Sequence, residues 1–239
     1  MLPTPPSEET RDETVARERV EQWTNELFRT SPMIRFMSKH LALLSCDPRA
    51  APPSTYVPPS ATSSPSSSPT PILAAAGTQT ASPSPSAPTP PPPILIATCP
   101  KAVAGGFSPS LPGEPTSFSS ILLCSNRLYS KEHVENTISH EMIHWFDHCR
   151  FKVRWDNLAH HACSEIRAAT LSGDCDLLRE WGRREYGLKG QFQKCIKRRA
   201  ALSVAANPSC QGDLERAKRE VDLVFDSCFK DTRPFDEIY

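Results

Sequence analysis

The chain has no long apolar run and no excess of charge of either sign. Its 239 residues include 27 Lys and Arg and 27 Asp and Glu, so the formal net charge is zero. This balance does not favour a nucleic acid or an anionic membrane surface as a partner. No apolar stretch approaches the roughly 20 residues that a membrane-spanning helix requires. These absences direct the search for function to local motifs.

The first residues do not have the composition of the common leader sequences. Residues 1–18 are acidic and contain proline. A secretory signal would have an apolar stretch, and a mitochondrial presequence would be rich in Arg and poor in acids. We therefore expect neither type of leader, and we predict that residues 1–18 form a disordered N-terminus.

The nine cysteines include no C-x-x-C pair, which argues against a zinc finger or a thioredoxin-type site. Eight of the nine are spread over the part of the chain that begins at Cys99. This spacing favours a disulfide framework formed in an oxidising compartment. The alternative is a set of buried thiols that pack as small apolar side chains. The odd number leaves at least one thiol free or paired outside the chain.

A proline-rich segment without charges divides the chain. No charged residue lies between Arg49 and Lys101, and fifteen of the 25 prolines lie within residues 48–93. Such a composition cannot bury enough apolar surface to offset its ordering entropy, so residues 47–93 are predicted to be a disordered insertion. Before it, residues 19–46 show two amphipathic helical stretches. These stretches either pack against the rest of the protein, which we favour, or bind a membrane surface or a partner.

Residues 94–239 are predicted to form one α+β domain, with a small sheet followed by helices. The apolar runs Ile94–Ala97 and Ser120–Cys124 predict strands. Residues 105–107 and 111–113, between these runs, are typical of turns. Helical patterns follow over about 131–149, 157–171, 175–186, 192–204 and 212–229.

The first of these helices carries His140-Glu141-Met142-Ile143-His144, an H-E-x-x-H sequence, and Ser130 is a plausible N-cap. Histidines four residues apart lie one turn above each other, so both rings can reach one metal ion. Glu141 lies beside them, where it can accept a proton from a water molecule. The motif is typical of zinc peptidases. The alternative is a solvated helix face with two unrelated histidines.

A catalytic zinc ion normally takes three protein ligands and a water molecule. The elongated H-E-x-x-H-x-x-G-x-x-H pattern is excluded, because Arg150 stands where its last histidine would be. His148 lies two turns from His140, too far to share one ion on a straight helix. Glu165, about twenty residues after the second histidine and on the next helix, is the preferred third ligand. His161 is the alternative.

Asp147 lies one turn after His144 and is a candidate supporting residue. It is predicted either to accept a hydrogen bond from a ligand histidine or to be an exposed acid paired with Arg150 or His148. The two interpretations are equally favoured.

Three blocks of sequence are similar to those of one metallopeptidase family. They are HEMIHWFDHCR at 140–150, ACSEIRAA with the following LSGDC in 162–175, and VFDSCF with DTRPFD in 224–236. The chain resembles the mitochondrial intermembrane-space metalloprotease family that matures ATP synthase and helps to assemble it. The resemblance covers about residues 99–239 and, more weakly, 23–46. The proline-rich segment is not part of that family pattern.

The resemblance implies a disulfide-rich, zincin-like metalloprotease that lies peripherally on the intermembrane-space side of the mitochondrial inner membrane. Members of the family enter through an oxidative import relay. Their substrate is the precursor of ATP synthase subunit a, whose N-terminal extension they remove. They also help to join this subunit to the ring of the membrane sector, and this assembly role need not depend on proteolysis.

Two functions therefore remain open. The chain is either a zinc endopeptidase or a non-proteolytic assembly chaperone whose zinc ion stabilises the fold. The intact Glu141 favours the endopeptidase, because a structural zinc ion needs no general base.

Overall fold

The computed structural model describes residues 10–48, 93–100, 103–111, 114, 118–175 and 190–236. Two helices come first, α1 (Arg11–Thr30) and α2 (Pro32–Leu43). Thr10 and Glu13 form a capping box at the start of α1, in which each side chain accepts a hydrogen bond from the other residue's backbone N–H. Helix α1 therefore begins at Arg11, eight residues before the predicted start of the helical segment at residue 19. The prediction of disorder is wrong for residues 11–18, because the capping box allows the helix to begin at Arg11.

Ser31 separates the two N-terminal helices. Its backbone N–H donates to the Leu27 carbonyl at the end of α1, and its hydroxyl accepts from the Ile34 N–H at the start of α2. Pro32 occupies the first turn of α2, where a missing N–H costs nothing. One serine thus ends one helix and begins the next.

Three short strands form the sheet, with the order β1-β3-β2. Strands β1 (Ile94–Ala97) and β3 (Ser120–Cys124) are parallel and confirm the two predicted strands. Strand β2 (Gly105–Ser108) is antiparallel to β3, so the prediction of a turn at residues 105–107 is wrong. A Cβ atom at Gly105 would lie 2.7 Å from both the Leu122 carbonyl oxygen and the Thr137 Cγ2. This glycine allows the strand to approach the following helix closely.

Four helices follow the sheet. They are α3 (Lys131–Arg150), α4 (Leu158–Leu171), α5 (Gln191–Ala206) and α6 (Leu214–Phe229). Each lies within a few residues of a predicted helix. Ser130 caps α3 and Asn157 caps α4 through their side-chain oxygens. The helix predicted over 175–186 lies outside the described residues apart from Cys175, and so do residues 112–113 of a predicted turn.

The buried apolar side chains form two clusters. The first joins α1 and α2 to the sheet and to α3, and includes Ile34, Ile121 and Trp145. The second joins α4 to α5 and α6, and includes Ile166 and Val221. The packing of α1 and α2 in the first cluster confirms that these helices are part of the protein core. Among the described residues, no helix combines the length and apolar character needed to cross a bilayer.

The structure contains four disulfides, which confirms the predicted disulfide framework of the α+β domain. They tie the end of α2 to the end of α3, β1 to β3, α4 to α6, and the segment after α4 to α5. The pairs are Cys46–Cys149, Cys99–Cys124, Cys163–Cys228 and Cys175–Cys195. The ninth cysteine, Cys210, is a buried free thiol.

Candidate metal centre

Helices α3 and α4 cross so that three candidate ligands converge. One ligating atom from each of His140, His144 and Glu165 lies within 4.8 Å of the other two. The two histidine Nε2 atoms are 3.1 Å apart. The Glu165 Oε1 lies 3.4 Å from the His144 Nε2, and the Oε2 lies 3.6 Å from the His140 Nε2. Within the described parts of the chain, this is the one cluster of three His, Cys, Asp or Glu side chains arranged to hold an ion.

His144 is oriented by a serine of the neighbouring helix. Its Nδ1 lies 2.8 Å from the Ser164 Oγ, and the Ser164 hydroxyl donates to the Asp147 Oδ2 at 2.9 Å. Asp147 is buried and forms an ion pair with Arg167. The interpretation of Asp147 as an exposed acid is therefore wrong, and Asp147 is placed to support His144 through Ser164 rather than by a direct hydrogen bond. The reason is that α4 packs across this turn of α3 and covers it.

His140 is supported by an acid that follows α4. Its Nδ1 lies 2.8 Å from the Asp174 Oδ2, a contact that is an ion pair when the ring is protonated, and Asp174 in turn accepts from the Arg199 guanidinium on α5 at 2.7 Å. Sequence reasoning missed both supporting residues. Asp174 lies in the LSGDC block that carried the family resemblance, whereas Arg199 has no local signal.

Glu165 is held on its other side by His161 and Ser203. The Ser203 hydroxyl donates to the Glu165 Oε1 at 2.5 Å, and the His161 Nε2 lies 3.2 Å from the same oxygen. The Asn207 amide nitrogen donates to the Trp155 carbonyl and contacts the His161 Nδ1 at 2.9 Å. An amide NH₂ group only donates, so the His161 proton lies on Nε2 and is donated to Glu165. His161 is thus placed as a support for Glu165.

His148 is not part of the candidate ligand cluster and contacts Ser110 and Trp155 instead. The Trp155 indole N–H donates to the His148 Nδ1 at 3.2 Å, so the ring proton lies on Nε2, which contacts the Ser110 Oγ at 3.2 Å. Burial lowers the pKa of His148, which favours this neutral form. His148 therefore belongs to an aromatic group with Trp155 and Phe107 at the edge of β2.

Glu141 is buried close to the candidate ligands, with 8% of its surface exposed. Burial raises its pKa, and the negative charges of Glu165 and Asp174 act in the same direction, whereas the histidines oppose them. A carboxylate with a raised pKa binds a transferred proton more readily than one with the ordinary pKa. This property suits a general base.

The electrostatics of the cluster favour a cation. Burial alone would raise the pKa of Glu165, but the charge of His144 and the hydrogen bonds of the histidines outweigh it and hold this pKa well below its usual value. Burial lowers the pKa of His140, but the carboxylates of Asp174 and Glu165 outweigh it and hold it well above its usual value. The site thus keeps an ionised carboxylate and attracts positive charge.

The donor set fits a zinc ion. With the Nδ1 atoms turned to Ser164 and Asp174, the lone pairs of two Nε2 atoms would face each other at 3.1 Å. This arrangement is favourable only when a proton or a metal cation lies among them. Two neutral imidazoles and one carboxylate are a ligand set that catalytic zinc accepts.

Comparisons with known proteins assign the chain to a family. The sequence model of the peptidase M76 family matches residues 18–236. The chain belongs to the peptidase M76 family. This assignment confirms the family expected from the three sequence blocks, and the chain is a peptidase. The matched range contains all the candidate site residues.

Several curated relatives of this M76 peptidase carry the name "Mitochondrial inner membrane protease ATP23". The one from Mycosarcoma maydis is 60% identical over 241 residues, which cover 99% of each chain. The one from Malassezia globosa is 53% identical over 235 residues, covering 98% of this chain and 83% of the relative. The Saccharomyces cerevisiae protein is 50% identical over 152 residues, covering 61% of this chain and 62% of the relative. No solved structure matches the chain.

Proposed function

We propose that the chain is a zinc-dependent endopeptidase with a zincin-like site, in which His140, His144 and Glu165 hold the metal ion and Glu141 is the general base. One observation carries this proposal. The three ligating atoms lie within 4.8 Å of one another on two crossing helices, in a member of a peptidase family. The geometry matches the two-histidine, one-glutamate ligand set of known zinc peptidases.

The residues of the chain have separate roles in peptide hydrolysis. When bound, zinc supplies a Lewis acid that polarises the scissile carbonyl and lowers the pKa of a water molecule in the site. Glu141 accepts the proton of the attacking water at its carboxylate and then donates it to the nitrogen of the leaving group. The raised pKa of Glu141 suits both transfers. Ser203 and His161 hold Glu165 in place through hydrogen bonds to Oε1.

We extend the location of the relatives to this chain. Their names place them at the mitochondrial inner membrane, and we propose a peripheral position on the intermembrane-space side. Four disulfides suit a protein matured by an oxidative import relay. The family resemblance further suggests the client, which is the precursor of ATP synthase subunit a. The proposed reaction removes its N-terminal extension, and a second role assists the joining of this subunit to the ring of the membrane sector.

Replacing Glu141 with Gln tests the proposed base. Glu141→Gln keeps the side-chain volume and the three candidate ligands but cannot accept the proton of water. Peptide cleavage should fall by about 10²- to 10⁴-fold, whereas zinc content should not change. Glu132→Gln, on the first turn of the same helix, is the matched control and should remain active. Cleavage by E141Q at the rate of the parent would contradict the assignment.

The same variant separates the two proposed roles in cells. Processing of subunit a, read by N-terminal sequencing, should stop, whereas assembly of ATP synthase should continue at least in part. A strain that loses both would show that assembly depends on cleavage, and the chaperone role would be wrong.

Metal analysis tests the ligands. His140→Ala, His144→Ala and Glu165→Ala should each abolish stoichiometric zinc binding, because each removes one of three ligands. His148→Ala should keep one zinc ion per chain, since His148 contacts Ser110 and Trp155. Full zinc in any of the first three variants would contradict the ligand set.

A further inference from the structure

Three buried polar side chains form a chain of contacts that begins at the His144 Nδ1. Ser164, Asp147 and Arg167 are each 2% exposed. Contacts run from the His144 Nδ1 to the Ser164 Oγ at 2.8 Å, from that hydroxyl to the Asp147 Oδ2 at 2.9 Å, and from Asp147 to the Arg167 Nε at 3.0 and 3.2 Å. Buried polar groups in such an unbroken line satisfy one another and hold a single arrangement.

The direction of each hydrogen bond follows from the chemistry of the groups. A guanidinium only donates, and a carboxylate paired with it only accepts. The Ser164 hydroxyl therefore uses its one hydrogen for Asp147, and its oxygen can only accept from His144. The proton of the neutral His144 ring must then lie on Nδ1. The Nε2 lone pair is left facing His140 and Glu165.

We propose that Ser164 is a positioning residue that selects the metal-binding tautomer of His144, with Asp147 fixing the direction of its hydroxyl. This proposal rests on the metal site of the proposed function. It explains why a serine and a buried ion pair that are not among the candidate ligands lie beside His144. Outer hydrogen bonds of this kind fix the ring orientation of ligand histidines and raise their basicity.

The line of side chains is anchored at its far end. The Arg167 Nη1 contacts the Asp231 carboxylate at 2.5 Å and its backbone carbonyl at 2.8 Å, and the Nη2 donates to the Arg233 carbonyl at 2.6 Å. Arg167 thus cannot move away from Asp147 without breaking contacts to the segment after α6. The orientation of His144 is in this way supported by residues more than sixty positions further along the chain.

The chain offers a matched control for the loss of a serine–histidine contact. Ser110 contacts the His148 Nε2 at 3.2 Å, and His148 is not a candidate ligand. Ser164→Ala and Ser110→Ala therefore remove the same type of contact, one at a proposed ligand and one elsewhere. Zinc affinity of the purified, fully oxidised full chain is measured by competition with a chromophoric chelator. S164A should bind zinc about 10- to 100-fold more weakly than the parent, and S110A should be unchanged.

A second measurement determines the tautomer of His144 in the parent itself, so this result does not depend on the folding of a variant. Nitrogen-15 NMR of the zinc-loaded parent should show His144 bound through Nε2, with a slowly exchanging proton on Nδ1. In S164A this proton should exchange about tenfold faster, because its acceptor is gone. If Ser164 were purely structural, its replacement in S164A would change neither the tautomer of His144 nor the exchange rate of its Nδ1 proton.

Each outcome bears on the proposal. Equal zinc affinity of S164A and the parent would overturn it, as would equal weakening in S164A and S110A. A parent whose His144 carries its proton on Nε2 would overturn it even if S164A does not fold. In all three cases the parent still binds zinc, and the metal content of His144→Ala tests the ligand role of His144 separately, so the proposed function does not fall with this proposal. A parent that binds no zinc would overturn both.

Discussion

Removing Arg167 should destabilise the protein far more than removing an exposed arginine. Arg167 is 2% exposed and is the ionic partner of Asp147, which is equally buried. In Arg167→Met the aliphatic volume remains, but the Asp147 carboxylate loses its counter-charge inside the protein. Two backbone carbonyls, of Asp231 and Arg233, also lose a donor.

The expected magnitude follows from burial. Breaking a fully buried ion pair by removing one partner costs about 3–5 kcal/mol, because the remaining charge is uncompensated. The two carbonyls belong to a partly exposed segment that water can reach, so they add little. We therefore expect R167M to lower the free energy of unfolding by about 4 kcal/mol. Arg154→Met is the matched control, since its pair with Asp156 leaves 69% and 66% of the two side chains exposed. Its loss should cost about 0–1 kcal/mol.

The effect of R167M should also depend on pH. Burial raises the pKa of Asp147, and the charge of Arg167 opposes this rise. Without Arg167 the folded-state pKa rises further above the unfolded value, so folding takes up a proton. Stability is then retained at low pH and lost as pH rises through the raised pKa. The gap between R167M and the parent should therefore be smaller at pH about 5 than at pH about 8.

Urea unfolding followed by circular dichroism measures both effects. A double variant that adds Asp147→Asn should recover part of the lost stability, because the buried group is then neutral. The reasoning would be refuted if R167M cost no more than R154M, or if its gap to the parent widened towards low pH.

Two further predictions concern the fold. Gly105→Ala should lower the free energy of unfolding by about 1–3 kcal/mol, because its Cβ would meet two atoms at 2.7 Å. Gly106→Ala, with nothing within 4 Å of its Cβ, should change it by less than about 0.5 kcal/mol; equal effects in thermal unfolding would contradict this difference. The double replacement Cys46→Ser, Cys149→Ser opens a link across 103 residues and should cost about 4–5 kcal/mol by chain entropy. A loss below about 1 kcal/mol in guanidinium unfolding would contradict this estimate.

The sequence predicted those parts of the site that depend on local geometry. The period of an α-helix puts His140 and His144 on one face, whatever surrounds the helix. The step to Glu165 needed only the expectation that the next helix crosses the first. Strands β1 and β3 can likewise be predicted from local sequence, because their apolar runs are bounded by turn residues.

The parts that escaped prediction depend on contacts between distant segments. Ser203 and Arg199 lie on α5 and reach the site only through the packing of α4, α5 and α6. The burial of Asp147 depends on Arg167, which in turn depends on the segment after α6. The sequence predicts a turn at Gly105, because a glycine that permits close approach has the same sequence signal as one that permits a turn.

The division of the core into two clusters has a consequence for the maturation of this peptidase. Helix α3, with His140 and His144, packs mainly in the first cluster, whereas most buried apolar residues of α4, the helix of Glu165, belong to the second. A newly made chain in which only one half has folded would hold an incomplete set of the proposed ligands. The proposed site is therefore complete only when both halves have folded and docked. Such a protease cannot attack other polypeptides while it is itself still unfolded.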